Sequence, residues 1–206
     1  MKKRQAQVKR KTKETDIAIT LDIDGGGQSK IKTGIGFLDH MLELFAFWGH
    51  FDLDTQVKSG DYDIDIHHVN EDTAIVLGQA FKKALGDKKG IRRLGDASVP
   101  MEEVTASVSV DISGRGSLKL RTESNPKTTG TQSAQVNEYT LKDAEHFLES
   151  FAQHLGVNLN INIEPYNSDL HATLEPAFKA LGKALDEATQ IDPRRKGIPS
   201  TKGVID

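Results

Sequence analysis

The chain has 206 residues, 36% hydrophobic and 28% charged, a globular mix long enough for one sizeable core or two small fused ones. A net charge of -3 gives no electrostatic case for nucleic acid, and the lack of cysteine excludes disulfides and thiolate metal sites. No apolar run approaches the ~18 residues of a membrane span. The basic start, MKKRQAQVKRKTKE, has no apolar stretch behind it and is no secretory signal, so a cytoplasmic protein with no membrane partner is expected.

That basic start reads as a solvated strand edge or tail. Ile17, Ile19, Leu21 and Ile23 alternate with polar residues and predict a half-buried strand, closed by a turn at Asp24 to Gly27. Phe37 to Phe47 has helical spacing. Phe51 to Val57 and Tyr62 to Ile66 read as extended, and Glu71 to Leu85 as a helix ended by Gly86. The order then repeats. Val104, Ala106, Val108 and Val110 alternate, and Leu118 and Leu120 continue extended beyond a turn at Ser113-Gly114. Leu141 to Leu155 is helical, Val157 to Ile163 alternates, and His171 to Thr189 is helical again. Asn125 to Asn137 is a polar surface connector, and the tail from Asp192 onward is irregular.

The repetition extends to chemistry. Asp39-His40-Met41-Leu42-Glu43 matches Glu145-His146-Phe147-Leu148-Glu149, 106 positions on. Asp65-Ile66-His67-His68 with Glu71 matches Asp169-Leu170-His171-Ala172 with Glu175, 104 positions on. The expected fold is therefore α/β (α+β): two fused, pseudo-twofold-related ββαβα halves at 1–95 and 96–192, with a tail at 193–206.

Residues four apart share a helix face, so His67 with Glu71, and His171 with Glu175, can each grip one divalent ion. His68 lies about 100° round the helix from His67 and would serve a different ion. A duplicated chain then suggests two ions, each taking a helical pair from one half and histidines from the other. His171 and Glu175 would join His40 and His68. His67 and Glu71 would join His146 and position 172, where Ala172 offers no ligand. An all-nitrogen-and-oxygen donor set suits Mn, Fe, Co, Ni or Zn. His50 and His154 fall outside the repeat and read as ordinary surface or helix-end residues.

Five segments carry a resemblance to a known family: Thr33-Gly34-Ile35-Gly36-Phe37-Leu38-Asp39-His40-Met41-Leu42, His67-His68-Val69-Asn70-Glu71-Asp72, Gly90-Ile91-Arg92-Arg93, Asp111-Ile112-Ser113-Gly114-Arg115 and Pro199-Ser200-Thr201-Lys202-Gly203-Val204. From about Val8 to the C-terminus the chain resembles the imidazoleglycerol-phosphate dehydratases of histidine biosynthesis. The resemblance implies two similar halves, each a sheet backed by helices (the ribosomal protein S5 domain 2-like fold). It implies trimers built into a 24-subunit homo-oligomer with Mn2+ ions at subunit interfaces, and dehydration of a small phosphate substrate to imidazole-acetol phosphate. Position by position, it implies His40, His67, His68, Glu71, His146, His171 and Glu175 as metal ligands. It makes Glu14 the acid/base residue beside the catalytic ligands His67, Glu71, His171 and Glu175, and gives the phosphate to Arg93, Arg115, Ser200 and Lys202.

The chain departs from the family pattern at Ala172, where a His-His pair is usual, so one of two Mn2+ sites is expected to be weakened. Asp63, Ile66, Glu102 and Asn160 also differ from the usual residues. Three functions stay open on the residues: an active dehydratase, a metal-organised shell-forming relative with impaired turnover, and a different metal-dependent lyase or hydrolase on the same scaffold.

Overall fold

Alternation in the apolar strands gives each of two sheets one buried and one polar face. Ile17, Ile19 and Leu21 point inward from one strand, and Val104, Ala106, Val108 and Val110 from its counterpart, with exposed or half-buried residues between them. The computed structural model describes residues 3–124, 135–166 and 169–205. The first half runs β1 (Gln5–Lys11), β2 (Asp16–Asp22), β3 (Ser29–Lys32), α1 (Gly36–Trp48), β4 (Asp52–Ser59) and α2 (His67–Leu85). The second runs β5 (Leu94–Met101), β6 (Val104–Asp111), β7 (Ser117–Ser124), two short strands β8 (Gln135–Val136) and β9 (Tyr139–Thr140), α3 (Leu141–Leu155), β10 (Asn158–Tyr166) and α4 (Leu170–Thr189).

The sheets share one topology. Their strand orders are β1-β2-β4-β3 and β5-β6-β10-β7, with two antiparallel pairings followed by a parallel one. The basic segment of the N-terminus forms the edge strand β1, as expected. The helices lie between the sheets, and each half packs on the other through crossed pairs, α1 on α4 and α2 on α3. A polar residue lies at one end of this packing: Asn70 in the first turn of α2 is fully buried, accepts from the Tyr139 hydroxyl at 3.0 Å and donates to the Asp143 carbonyl at 2.9 Å. That link ties α2 to the start of α3.

Two glycines set the helix spacing. A Cβ on Gly78 of α2 would lie 2.8 Å from the Phe151 carbonyl oxygen of α3, and one on Gly182 of α4 would lie 2.4 Å from the Phe45 carbonyl oxygen of α1. The two glycines are 104 positions apart, the same offset as the His/Glu pairs. Gly182→Ala should cost about 1–3 kcal/mol, because overpacking against backbone outweighs the better helix propensity of alanine. Denaturant unfolding measures this; an unchanged or raised midpoint would show that α1 has room to withdraw.

Three expectations need correction. Besides the separate pair β8 and β9 in the second half, the sheet of each half has one strand more before its first helix than the ββαβα reading. In the first half this is β3, four residues with only Ile31 buried, too short to show a period. Tyr62 to Ile66 is turn and bend, not strand. The Ile64 N–H closes onto the Asp61 carbonyl at 2.9 Å, and the Tyr62 hydroxyl donates to the Thr33 carbonyl. Of the polar connector, residues 125–134 lie outside the described residues. Its end is more regular than expected, since Gln135–Val136 pairs with Tyr139–Thr140 around Asn137 at φ 54°. The tail from Asp192 is irregular, as expected.

Candidate metal centre

Both helices that carry a candidate site histidine in their first turn have an aspartate two residues before it. The Asp65 carboxylate accepts from the His67 N–H at 2.8 Å, and Asp169 does the same for His171 at 2.8 Å. Acceptors at a helix N-terminus satisfy donors that have no partner within the helix. The first-turn candidate ligands are thereby held on helical backbone where α2 meets α3 and α4 meets α1.

At the α1–α4 crossing, His40 Nε2 lies 3.6 Å and His171 Nε2 2.7 Å from one Glu175 oxygen. Lys179 Nζ takes the other oxygen at 2.5 Å. Burial acts to raise the Glu175 carboxyl, but hydrogen bonds from Lys179 and His171 outweigh it and hold the group below the usual carboxylate range. Glu175 is therefore an anion, as a ligand must be. At the α2–α3 crossing, Glu71 lies 3.9 Å from His67 Nε2 and 3.8 Å from His146 Nε2. The His67 and His146 rings stack at 4.6 Å and 11°. The Nδ1 of His146 is buried without a hydrogen-bond partner, so stacking rather than a second bond orients that ring.

Each triplet fits a divalent ion. The candidate ligand atoms of His40, His171 and Glu175, and those of His67, Glu71 and His146, lie within 4.8 Å of one another. Ligands about 2.1 Å from one ion lie at most about 4.2 Å apart, so small side-chain shifts suffice. Two imidazoles and one carboxylate leave coordination positions open, as a reactive centre requires.

Within one chain His68 stands apart from both triplets. The Asp61 carboxylate binds its Nδ1 at 2.6 Å, leaving Nε2 to face outward, 4.0 Å from Glu14. Asp61 raises the His68 pKa, through the hydrogen bond first, with Coulombic help from Asp61, Glu14 and Asp65, against a smaller opposing effect of desolvation. A carboxylate on one ring nitrogen that frees the other is the arrangement found behind metal-bound histidines. Its counterpart, Ala172, is 3% exposed in the first turn of α4.

The four residues expected at the phosphate are only partly gathered. Arg93, at φ 74°, clamps both Asp111 oxygens at 2.6 and 3.1 Å and donates to the Pro199 carbonyl at 3.0 Å, beside Ser200. The Lys202 N–H donates to the Ser200 hydroxyl at 3.2 Å. Among the described residues, no hydrogen bond or ion pair joins the Arg115 or Lys202 side chains to Arg93 or to either triplet. Arg92 pairs with Glu187 at 3.3 Å, His50 lies 3.9 Å from Asp186, and His154 bonds the Ser150 carbonyl at 2.8 Å, all away from the triplets. The residues missed from sequence are Asp61, Asp111 and Lys179. Lys179 was within reach, being four positions after Glu175 on one helix face.

Comparison with known proteins decides the family. The sequence model of imidazoleglycerol-phosphate dehydratase matches residues 33–185. The chain belongs to the imidazoleglycerol-phosphate dehydratase family. It is 49% identical to the imidazoleglycerol-phosphate dehydratase of Geobacter metallireducens, over 98% of this chain and 99% of that protein. It is 48% identical to that of Bacillus subtilis, over 98% of this chain and the whole of that protein. Solved dehydratase structures share its fold. That from Staphylococcus aureus has a TM-score of 0.77 at 31% identity, over 91% of this chain and 99% of that one. That from Pyrococcus furiosus, in complex with (S)-C348, has a TM-score of 0.76 at 31% identity, over 96% and 99%. Among the described residues of this family member, no helix is long and apolar enough to cross a membrane.

Proposed function

We propose that this chain is a cytoplasmic, metal-dependent dehydratase that converts imidazoleglycerol phosphate to imidazole-acetol phosphate and water. Kinship to named dehydratases over nearly the full chain supports the reaction. One observation carries the metal dependence: two histidine–histidine–carboxylate triplets of like composition, each at a crossing between the halves. Mn2+ is the proposed ion. Bound metal would supply Lewis-acid polarisation of the substrate's imidazole ring.

The chain's own residues do the rest. In the net reaction a hydroxyl leaves the carbon attached to the ring, a proton leaves the next carbon, and the resulting enol tautomerises to the ketone. Glu14, its side chain 53% exposed beside His68, would take and return the carbon-bound proton. Arg93, Arg115, Ser200 and Lys202 would hold the phosphate and orient the reacting end.

Neither triplet is complete within one chain, and this favours a shared site. His68 presents its free nitrogen outward, ready to complete the His40–His171–Glu175 triplet of a neighbouring copy. Next to His67 and His146 is an open cleft of about 480 Å³, rimmed by Asp65, Glu138, Glu145 and Glu149, with Lys142 the only lysine or arginine among the described lining residues. Such a rim repels a phosphate dianion, so the basic phosphate residues would come from another subunit, in the large homo-oligomer, a 24-mer, that the family implies.

A second reading follows from Ala172: a shell-forming relative in which one site holds metal poorly and turnover is impaired. Turnover of imidazoleglycerol phosphate with and without added Mn2+, beside metal content per chain, separates the two. Activity that survives complete metal removal would overturn the metal-dependent reading. Metal uptake and assembly without turnover would favour the second.

A further inference from the structure

Asp72 is the one carboxylate of α2's first turns that turns into the protein, 5% exposed. One of its oxygens accepts from Arg10 Nε at 2.8 Å, at the end of β1, and the other from the Thr15 hydroxyl at 2.5 Å, at the start of β2. Between these anchors lies the tight turn that carries Glu14. The Thr12 N–H donates to the Thr15 carbonyl at 2.9 Å, and the Thr12 hydroxyl oxygen accepts from the N–H groups of Glu14 at 3.1 Å and Thr15 at 3.0 Å. The turn is thus rigid within itself, and Asp72 grips it on both flanks. The same helix carries His67, His68 and Glu71, so the grip determines where Glu14 stands relative to them.

We propose that Asp72 is a positioning residue for Glu14, fixing the Thr12 to Thr15 turn to α2. The inference rests on the reading of Glu14 as the proton-transferring group. Misplacing a reacting group by about 1 Å costs on the order of 100-fold, so a slackened turn would show in the chemical step. Asp72→Asn nearly preserves volume but removes the negative charge that holds Arg10, and its amide nitrogen can meet Thr15 only if that hydroxyl reverses from donor to acceptor.

The test is a double-mutant cycle on the assembled, Mn2+-loaded protein: parent, Glu14→Gln, Asp72→Asn and the double variant. The cycle is read as kcat and KM for imidazoleglycerol phosphate, with metal content recorded. Amide hydrogen exchange of residues 12–15 is followed alongside, which needs no turnover. Glu14→Gln should lose about 100- to 10,000-fold in kcat. Asp72→Asn should lose about 10- to 100-fold in kcat with KM and metal content little changed, and exchange at Glu14 and Thr15 should quicken while that of α2 does not. The double variant should be no slower than Glu14→Gln, since residues acting through one another are not additive. Losses that multiply, or an Asp72→Asn protein with parental kcat and exchange, would overturn the inference and leave Glu14's role standing. Parental kcat in Glu14→Gln would overturn that role and the inference with it. Should Asp72→Asn fail to fold, Thr15→Val removes one anchor and must show the same pattern at smaller amplitude; parental behaviour there overturns the inference too.

Discussion

Glu175→Gln is expected to lower turnover of imidazoleglycerol phosphate by about 100-fold or more and to remove one ion from the assembled protein. The substitution replaces an anion with a neutral amide of the same shape. Removing a group that merely supports a ligand typically costs about 10- to 100-fold, and Glu175, a proposed ligand, faces His40 and His171 from one oxygen. It also holds Lys179 at 2.5 Å, in a place where the lysine side chain is only 19% exposed. Loss of that partner leaves an ammonium with no counter-charge, so the unfolding midpoint should fall as well. Elemental analysis beside the turnover assay checks the result. Unchanged metal content and kcat within a few-fold of the parent would remove Glu175, and with it the α1–α4 triplet, from the site.

Ala172→His should act in the opposite direction. The α2–α3 triplet lacks the fourth protein ligand that the His-His pair of the family would provide, and His146 lacks a partner on its second nitrogen. Restoring an imidazole at 172 should tighten the second ion by about 10- to 100-fold, so that metal content rises towards two per chain where the parent retains one. The new ring must point outward, because Ala172 is buried. It also lacks the support that Asp61 gives His68, since the residue at the same offset is Pro165. Titration with Mn2+ followed by elemental analysis decides it. Identical stoichiometry and affinity in the two proteins would mean that position 172 does not face a metal.

The elements with a clear period were legible in the sequence. β2, β6, α3 and α4 begin and end within a residue or two of where alternation, helical spacing and Gly156 place them. β3 was not, because four residues with one apolar position carry no period. Tyr62 to Ile66 mixes apolar and polar residues in strand fashion, yet the Asp61–Ile64 turn and the Tyr62–Thr33 bond bend it. Spacing also paired His67 with Glu71 and His171 with Glu175, and the duplication brought His40 and His146 to them. What escaped was polar and non-periodic: Asp61, seven residues before His68, Asp111 beside Arg93 across the β5–β6 pairing, and the hold of Asp72 on Arg10 and Thr15. These depend on how a turn folds back, how strands pair and how strand ends meet a helix, which no local spacing records.

The matched crossings, with Gly78 in one and Gly182 in the other, have a consequence for divergence. Each half carries both surfaces of the pairing, so a dimer of one unfused half would repeat the same crossing twice, with identical residue sets at each. In such a dimer any change at the second residue of the His-His pair would strike both centres at once. Joining the halves in one chain frees each copy to vary alone, and the repeat shows that freedom in use: His68 in one half, Ala172 at the matching place in the other.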